Sequence, residues 1–243
     1  MSKTIAIIPA RYQSSRLPGK VLEKIGGKTM LQLVYEQVKK VPVIDEIIIA
    51  TDDKRILEAA RSFGAQAEMT FASHRSGTDR CAQVAQEFWE SDIIVNVQAD
   101  EPFIEPSVIE MLVNKMREDT WIGICTICSP ATAKDLADPN VVKVVKAYNN
   151  LALYFSRAAI PYLADEKADF KDFWRHSGLY AYRNKVLQAV TKLPPSSLEQ
   201  AEKLEQLRWL QNGYGIYVIE TAYKGKGIDT PADLEHARNL FTG

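Results

Sequence analysis

The first half of the chain alternates short apolar runs with segments whose apolar residues recur every three to four positions. The runs at 5–9, 46–51 and 93–98 have no polar face, which predicts strands covered on both sides. The segments between them have the period of amphipathic helices. Such alternation predicts a mostly parallel sheet with helices on both faces, that is, an α/β, doubly wound and Rossmann-like fold. Further elements of this half are helices at 30–40, 53–63, 78–89 and 107–117 and a strand at 122–128.

The second half is less regular. Its leucines at 204, 207 and 210 recur at helical spacing, which predicts one long helix over 198–211. Pro231 fits the first turn of a closing helix over 231–240. We expect a single domain over 1–243, with an inserted mixed β/α subregion from about 130 to 225. Strands are predicted in this half at 141–146, where apolar and polar residues alternate, and at 179–182 and 216–219.

Composition argues against several partners. The 30 Lys and Arg residues balance 31 Asp and Glu residues, whereas proteins that bind nucleic acids or membrane surfaces usually carry a basic excess. No apolar run approaches the roughly 18 residues of a membrane span, and the first residues do not resemble a signal peptide. We therefore expect a cytoplasmic protein with neither a nucleic acid nor a membrane as its partner.

Cysteine spacing raises the question of a metal or redox site. Cys125 and Cys128 form a C-x-x-C in an apolar stretch, and Cys81 stands alone. No second pair follows, and no histidine lies at ligand spacing, so we expect small core residues and not zinc ligands. Free thiols fit a reducing compartment.

The loop after the first strand carries three cations within ten residues, Arg11, Arg16 and Lys20. Arginine chelates phosphate oxygens and lysine acts as a point charge, so the loop is a candidate polyphosphate site; a solvated basic loop is the alternative. The turn at 18–19 would direct Lys20 back towards the loop. Ser14 stands where a P-loop has its first glycine, and no G-x-G-x-x-G follows the strand, so neither a P-loop NTPase nor a dinucleotide-dependent dehydrogenase is supported.

Two aspartates could face this loop. Asp100 follows the strand at 93–98, and Asp229 precedes Pro231. Mg²⁺ usually binds one or two carboxylates together with substrate phosphates, which would suit both residues. A turn or helix-cap role is the alternative for each of them.

Motifs spread along the chain resemble those of the CMP-Kdo synthetases, the 3-deoxy-manno-octulosonate (Kdo) cytidylyltransferases. They are I-I-P-A-R-x-x-S-x-R-L-P-G-K, A-T-D, S-G-T-D-R, D-E-P, N-x-V-K-V-V, Y-F-S-R-x-x-I-P, H-x-G-x-Y, L-E-Q-L-R and I-D-T-P-x-D-L, in the family's order. The resemblance implies a nucleotidyltransferase that joins CMP from CTP to the sugar acid Kdo, for lipopolysaccharide biosynthesis. It also implies a Mg²⁺ cofactor and a homodimer.

The resemblance further assigns roles to individual residues. It implies that Asp100 and Asp229 bind the metal and that Arg11, Lys20 and Asp100 are catalytic. The nucleotide site would comprise Pro9, Ala10, Arg11, Arg16, Lys20, Ser76 and Arg80. The sugar acid would contact Gln98, Arg157, His176, Tyr180, Glu205 and Gln206.

Val21, Ala99 and Ser177 depart from the family pattern. Ala99 replaces a glycine, which adds a methyl group where backbone passes near a ligand. These departures leave open a cytidylyltransferase for a related acid, such as 8-amino-Kdo or a sialic-type acid. A non-catalytic nucleotide-binding protein is a further alternative, which the paired aspartates disfavour because a sensor needs no metal carboxylates.

Overall fold

The computed structural model describes residues 3–14, 17–165, 171–225 and 227–241. The helices are α1 (Met30–Val38), α2 (Lys54–Ser62), α3 (Gly77–Glu87), α4 (Pro106–Glu118), α5 (Ala133–Ala137), α6 (Asn184–Val190), α7 (Ser197–Glu202), α8 (Gln206–Gln211) and α9 (Pro231–Phe241). The strands are β1 (Lys3–Ala10), β2 (Lys24–Ile25), β3 (Lys28–Thr29), β4 (Glu46–Thr51), β5 (Gln66–Met69), β6 (Ser91–Asn96), β7 (Ile124–Pro130), β8 (Lys143–Lys146), β9 (Ala152–Ser156), β10 (Trp174–Arg183) and β11 (Ile216–Glu220).

One mixed sheet organises the described residues, with the order β11-β7-β10-β6-β1-β4-β5. β1 runs parallel to β4 and to β6, β4 parallel to β5, and β7 parallel to β11. β10 is antiparallel to both of its neighbours, β6 and β7. The sheet is therefore mostly parallel, as the apolar runs predict, and the carboxyl ends of β1 and β6 lie side by side.

Apolar side chains cover both faces of the sheet. Ala6 and Ile8 of β1 belong to one core cluster, whereas Ile5 and Ile7 belong to the cluster on the other face. Successive strand residues point to opposite faces, so a strand between two helical layers must be apolar throughout. This accounts for the uninterrupted apolar run at 5–9, in β1.

The three cysteines are buried, free thiols, which confirms their predicted place in the core. Cys125 and Cys128 lie on β7 in different core clusters, on opposite faces of the sheet. They cannot bind one zinc ion together. Burial raises the pKa of the Cys128 thiol to about 12, which keeps it protonated and unreactive.

The region from about 130 to 225 contributes four strands to the sheet, and β10 and β11 lie in its main order. β8 and β9 lie off the main order of strands, where β8 pairs with β10 and β9 pairs with β8. The alternating run at 141–146 contains β8, which is antiparallel to β9. No helix among the described residues is both long enough and apolar enough to span a membrane.

The prediction of one long helix over 198–211 is wrong. The chain forms two short helices, α7 and α8, because Lys203 adopts a left-handed conformation with φ 54° and ends the first of them. A left-handed residue at a helix end is usually glycine, and lysine is uncommon there. The sequence therefore has no glycine or proline to mark the break. The break places Leu204 in the core and the polar residues 205–206 beside the site described next.

Candidate active site

The cationic loop turns sharply before it reaches Lys20. Gly19 has φ 71°, and its amide donates a 2.8 Å hydrogen bond to the carbonyl of Tyr12. A Cβ at Gly19 would lie 2.9 Å from the Tyr12 ring, so both the conformation and the space require glycine here. The predicted turn at 18–19 is present, and it presents Lys20 at the start of a short 3₁₀ helix, residues 20–22.

Lys20 joins the two aspartates. Its ammonium donates hydrogen bonds of 2.6 Å to Asp100 Oδ2 and 2.8 Å to Asp229 Oδ1. The two carboxylates, 129 positions apart in sequence, therefore lie on either side of one cation. The backbone supports the pairing, because the amide of Ile228 donates a 2.9 Å bond to the carbonyl of Asp100.

The electrostatics of this cluster favour a bound cation. Burial alone would lower the pKa of Lys20, but the charges and hydrogen bonds of Asp100 and Asp229 outweigh burial and raise it. Lys20 is therefore protonated at neutral pH. Its ammonium already stands where two carboxylates could share a metal ion.

The donor set at this position fits a hard divalent ion. Mg²⁺ typically takes one or two carboxylates and completes its octahedron with water and substrate phosphates. Across the described parts of the chain, no three His, Cys, Asp or Glu side chains form a cluster that could hold a metal ion alone. Asp100 and Asp229 would thus supply two of the ligands of Mg²⁺, and water and phosphate oxygens would supply the rest.

Two clefts meet at these aspartates. The smaller cleft, of about 260 Å³, reaches towards the cationic loop and the start of α3. The larger, of about 700 Å³, extends along β10 towards α8. Gln98, Asp100 and Asp229 line both clefts. A group bound in one cleft would therefore approach a group bound in the other across the two carboxylates.

The smaller cleft contains most of the residues predicted to bind the nucleotide. Those that line it are Pro9, Arg11, Lys20, Ser76 and Arg80. Ala10 is buried at the end of β1 and is not among the lining residues. Arg16 lies outside the described residues.

Ser76 and Arg80 owe their positions to α3. Ser76 caps the helix by accepting a bond from the Asp79 amide, and the Asp79 carboxylate accepts one from the Ser76 amide. Arg80 is 4% exposed, and its guanidinium donates to Asp52 at 2.8 Å and to Thr70. Asp52, in the A-T-D segment, thus helps to hold the Arg80 side chain in place. Arg80 lines the cleft with its guanidinium fixed by these hydrogen bonds.

The larger cleft contains five of the six residues predicted to bind the sugar. They are Gln98, His176, Tyr180, Glu205 and Gln206. The Glu205 carboxylate accepts from Ser76 at 2.9 Å, Thr78 at 2.7 Å and Arg208 at 2.8 Å. Burial raises the pKa of Glu205, partly offset by these donors. Glu205 therefore ties α8 to the start of α3, besides lining the cleft.

His176 lies between two aromatic rings, those of Phe155 and Tyr180, with centroids 4.9 and 5.4 Å away. Its Nε2 is 2.9 Å from the hydroxyl of Thr126. Burial lowers the pKa of His176 to about 3, so the ring is neutral at physiological pH. His176 can exchange hydrogen bonds with sugar hydroxyls but cannot supply a cation for a carboxylate.

Arg157, like Ala10, is a predicted site residue that lines neither cleft. Its guanidinium donates to the carbonyls of Glu202 at 2.8 Å and Pro139 at 2.9 Å. Its backbone amide donates to the Glu202 carboxylate at 2.9 Å. In the described chain Arg157 therefore connects the end of β9 to α7. Backbone carbonyl oxygens accept the hydrogen bonds of its guanidinium, the role that a sugar carboxylate was expected to have.

Sequence reasoning missed several residues that line the clefts. His74 and Arg75 line the smaller cleft, immediately before the S-G-T-D-R motif. Arg175 lines the larger cleft, immediately before His176. In both places the signal was a basic residue adjoining a recognised motif. Glu101, which follows Asp100, is buried and also lines the larger cleft.

Comparison with known proteins identifies the family of the chain. A cytidylyltransferase family model matches residues 5–221. A 3-deoxy-manno-octulosonate cytidylyltransferase from Geotalea daltonii is 47% identical over 243 residues, covering 96% of each chain. An enzyme of the same name from Escherichia coli is 47% identical over 241 residues, covering 99% of this chain and 97% of the relative.

A solved structure extends the similarity to three dimensions. CMP:2-keto-3-deoxy-manno-octonic acid synthetase complexed with CTP superposes with a TM-score of 0.94 at 47% identity, covering 99% of both chains. The family match spans most of the chain, and the relatives match along nearly their whole length. The chain therefore belongs to the 3-deoxy-manno-octulosonate cytidylyltransferase family.

Proposed function

We propose that this protein transfers CMP from CTP to the anomeric hydroxyl of 3-deoxy-manno-octulosonate and releases pyrophosphate. One observation carries the proposal: Lys20, Asp100 and Asp229 form a single cluster where the two clefts meet. A nucleotide in the smaller cleft and a sugar acid in the larger would bring the α-phosphorus and the hydroxyl together there. The product would supply activated sugar for lipopolysaccharide assembly.

The smaller cleft suits a triphosphate. Arg11 is exposed at its edge, and Lys20 lies at its inner end. The start of α3, with Ser76 as its cap, adds backbone N–H groups and a positive dipole end to the same wall. The 47% identical solved relative is described as complexed with CTP, which supports a nucleotide as the ligand here.

Asp100 and Asp229, which both contact the Lys20 ammonium, would hold Mg²⁺. When bound, Mg²⁺ would polarise phosphate oxygens and offset the charge of the departing pyrophosphate. Lys20 would then leave the carboxylates and become available to the phosphates. The chain's residues thus position the reactants and neutralise charge, which are the main demands of phosphoryl-type transfer.

The larger cleft suits a polyhydroxylated acid. His176 is neutral, and Gln98 and Gln206 offer amide donors and acceptors. Arg175 lies in the same wall and supplies a positive charge near an anionic sugar. The imidazole and amide groups would bind sugar hydroxyls through directional hydrogen bonds, and Arg175 would attract the sugar carboxylate through its charge.

Pyrophosphate release tests the proposal. The purified protein is given each of four nucleoside triphosphates with a panel of sugar acids, once with Mg²⁺ and once with EDTA. We expect turnover with CTP and Kdo, and loss of turnover in EDTA. Turnover undiminished by EDTA would refute the metal assignment, and the absence of turnover with any acid would refute the proposed transfer.

Ser177 favours one alternative substrate class. Its hydroxyl is buried without a hydrogen-bond partner among the described residues, and Ser177 lines the larger cleft. Buried hydroxyls usually find a partner, so a polar sugar substituent such as an amino group could fill this role. The panel therefore includes 8-amino-Kdo and a sialic-type acid.

We also propose a homodimer in the cytoplasm. Leu153 on β9 is 63% exposed, and Tyr148 and Tyr162 nearby in sequence are also highly exposed, which leaves large apolar side chains uncovered. A second copy packing on β8 and β9 would cover them. Light scattering tests this, because Leu153→Glu should shift a dimer towards monomer, and an unchanged mass would refute this interface.

A further inference from the structure

Asp229 lies on the segment that connects β11 to α9, and buried contacts fix this segment upstream of the aspartate. Tyr223 donates a 3.1 Å hydrogen bond to the carboxylate of Glu101, the residue that follows Asp100. The exposed fractions are only 9% for Tyr223 and 8% for Glu101. The bond thus joins the connecting segment to the turn that carries Asp100, inside the protein.

Gly225 closes this contact. A Cβ at this position would lie 2.6 Å from the Tyr223 ring and 2.9 Å from Glu101 Oε2, distances that no side chain tolerates. The carbonyl of Gly225 accepts a 3.1 Å bond from Arg175, whose guanidinium also pairs with Asp135 at 3.2 Å. Glycine therefore allows the backbone to pass directly over the Tyr223–Glu101 pair.

Burying the polar groups of Tyr223 and Glu101 costs free energy, which a role in positioning the two segments would explain. A buried carboxyl group loses its hydration, and Glu101 is almost wholly buried. An apolar pair of the same shape would fix the segment without this cost. What the polar pair adds is direction, because a hydrogen bond defines both the distance and the angle between the two segments.

We infer that Tyr223 and Glu101 are positioning residues for the metal site, an inference that rests on the proposed function. The Tyr223–Glu101 bond, capped by Gly225, sets where Asp229 stands relative to Asp100. Tyr223 lines neither cleft, whereas Glu101 lines the larger one. Loss of the bond should weaken the metal site while CTP binding without metal persists.

Metal binding tests this inference directly. Mn²⁺ is titrated into protein saturated with CTP, without sugar acid, and free Mn²⁺ is followed by electron paramagnetic resonance. We expect Tyr223→Phe to weaken Mn²⁺ binding about fivefold, the effect of one lost hydrogen bond. The Mg²⁺ concentration for half-maximal turnover should rise by a similar factor, and CTP affinity in EDTA should change by less than about twofold.

Tyr217→Phe is the matched control. Tyr217 lies on β11 of the same sheet, and its hydroxyl accepts a 3.3 Å bond from Asn150, away from both clefts. Its removal should leave Mn²⁺ binding unchanged. Gly225→Ala provides a second perturbation, because the added methyl group must displace the Tyr223 ring or Glu101.

A double-mutant cycle tests whether Tyr223 acts through Glu101. In a Glu101→Ala background Tyr223→Phe should have no further effect on Mn²⁺ binding, since the acceptor is already gone. Equal Mn²⁺ binding by the Tyr223→Phe, Tyr217→Phe and parent proteins would overturn the positioning role alone. A parent protein that neither binds Mn²⁺ with CTP nor requires Mg²⁺ would instead overturn the proposed function.

Discussion

Lys20 donates a 2.6 Å hydrogen bond to Asp100, although 80 positions separate the two residues in sequence. Lys20 ends the loop after β1, and Asp100 follows β6, the adjacent parallel strand. The parallel register brings both segments to the same edge of the sheet, so the ion pair follows from the topology. The fold itself thus assembles the cation and the carboxylate at one place.

Asp100→Asn should abolish most turnover while the fold persists. The amide keeps the shape of the side chain but removes the charge that would hold Mg²⁺. We expect a rate loss greater than about a hundredfold, since even indirect ligand contacts are worth up to that much at metal sites. Pyrophosphate release measures the rate, and circular dichroism checks the fold.

The matched control for this variant is Asp53→Asn. Asp53 caps α2 by accepting from the Arg55 amide at 2.9 Å, outside both clefts, and asparagine caps a helix equally well. It should retain parental turnover. A folded Asp100→Asn protein with near-parental pyrophosphate release would refute the metal assignment.

Lys20→Met should separate the two roles of Lys20, which are to pair with the two aspartates and to bind the triphosphate. Without the ammonium, Asp100 and Asp229 lose the cation that they share, so the melting temperature in EDTA should fall. Mg²⁺ alone should restore it, because the metal no longer has to displace a bound cation. The parent protein should show a smaller rise with Mg²⁺, measured by thermal unfolding. Turnover should still be lost, because the triphosphate lacks its lysine.

An equal effect of Mg²⁺ on the melting temperatures of parent and variant would contradict this exchange. Lys28→Met is the control, because Lys28 pairs with Glu36 at 2.6 Å on the surface. Its loss should change neither the response to Mg²⁺ nor turnover, since exposed ion pairs contribute little.

The sequence predicts the sheet well because both faces are covered, so its strands are recognisable as apolar runs. It fails where a single backbone conformation decides the outcome. Lys203 breaks the predicted long helix in a left-handed conformation that no residue pattern signals. The sequence does not predict β5, because none of its four residues is buried. Local periodicity does not reveal either feature.

At the site, residues at strand ends and helix caps were predictable, because these positions have fixed geometry. Asp100, Ser76 and Lys20 belong to this group. Arg157 differs, because its side-chain type suggests an anion whereas its neighbours are backbone carbonyls. The burial of Glu101 against Tyr223 depends on residues 122 positions apart, which no single-sequence pattern connects.

Arg157→Ala should lower the free energy of unfolding by about 1–3 kcal/mol, because the carbonyls of Glu202 and Pro139 lose a charged donor. Urea denaturation measures the change, and Arg157→Lys should recover part of it. A variant with parental stability but a higher KM for the sugar acid would instead support the predicted role in sugar binding.

His176 should make stability depend on acidic pH. Its pKa is about 3 in the folded protein, below the ordinary value of 6.5, so the unfolded chain binds the extra proton between these values. Stability from this group is complete above about pH 6.5 and declines as the pH falls towards 3. The folded state should lose about 2 kcal/mol between pH 7 and pH 5.

His176→Gln removes this titration, so urea denaturation of parent and variant should show stabilities that converge by about that amount at pH 5. Curves that stay parallel from pH 7 to pH 5 would show that His176 keeps an ordinary pKa. The variant also lacks the packing of the imidazole against Phe155 and Tyr180. That deficit is the same at both pH values, so it does not disturb the comparison.

Lys203→Gly should stabilise the protein. Lys203 is exposed and has φ 54°, a conformation that costs about 1–2 kcal/mol for a residue with a Cβ. Glycine removes this cost but gains about 0.5–1 kcal/mol of chain entropy in the unfolded state, so a net gain of about 0.5–1 kcal/mol is expected. Lys185→Gly is the matched control, because Lys185 is exposed but lies within α6. That variant should lose about 1 kcal/mol. Urea denaturation of the two variants should therefore show changes of opposite sign, and a loss of stability in both would show that Lys203 is not strained in solution.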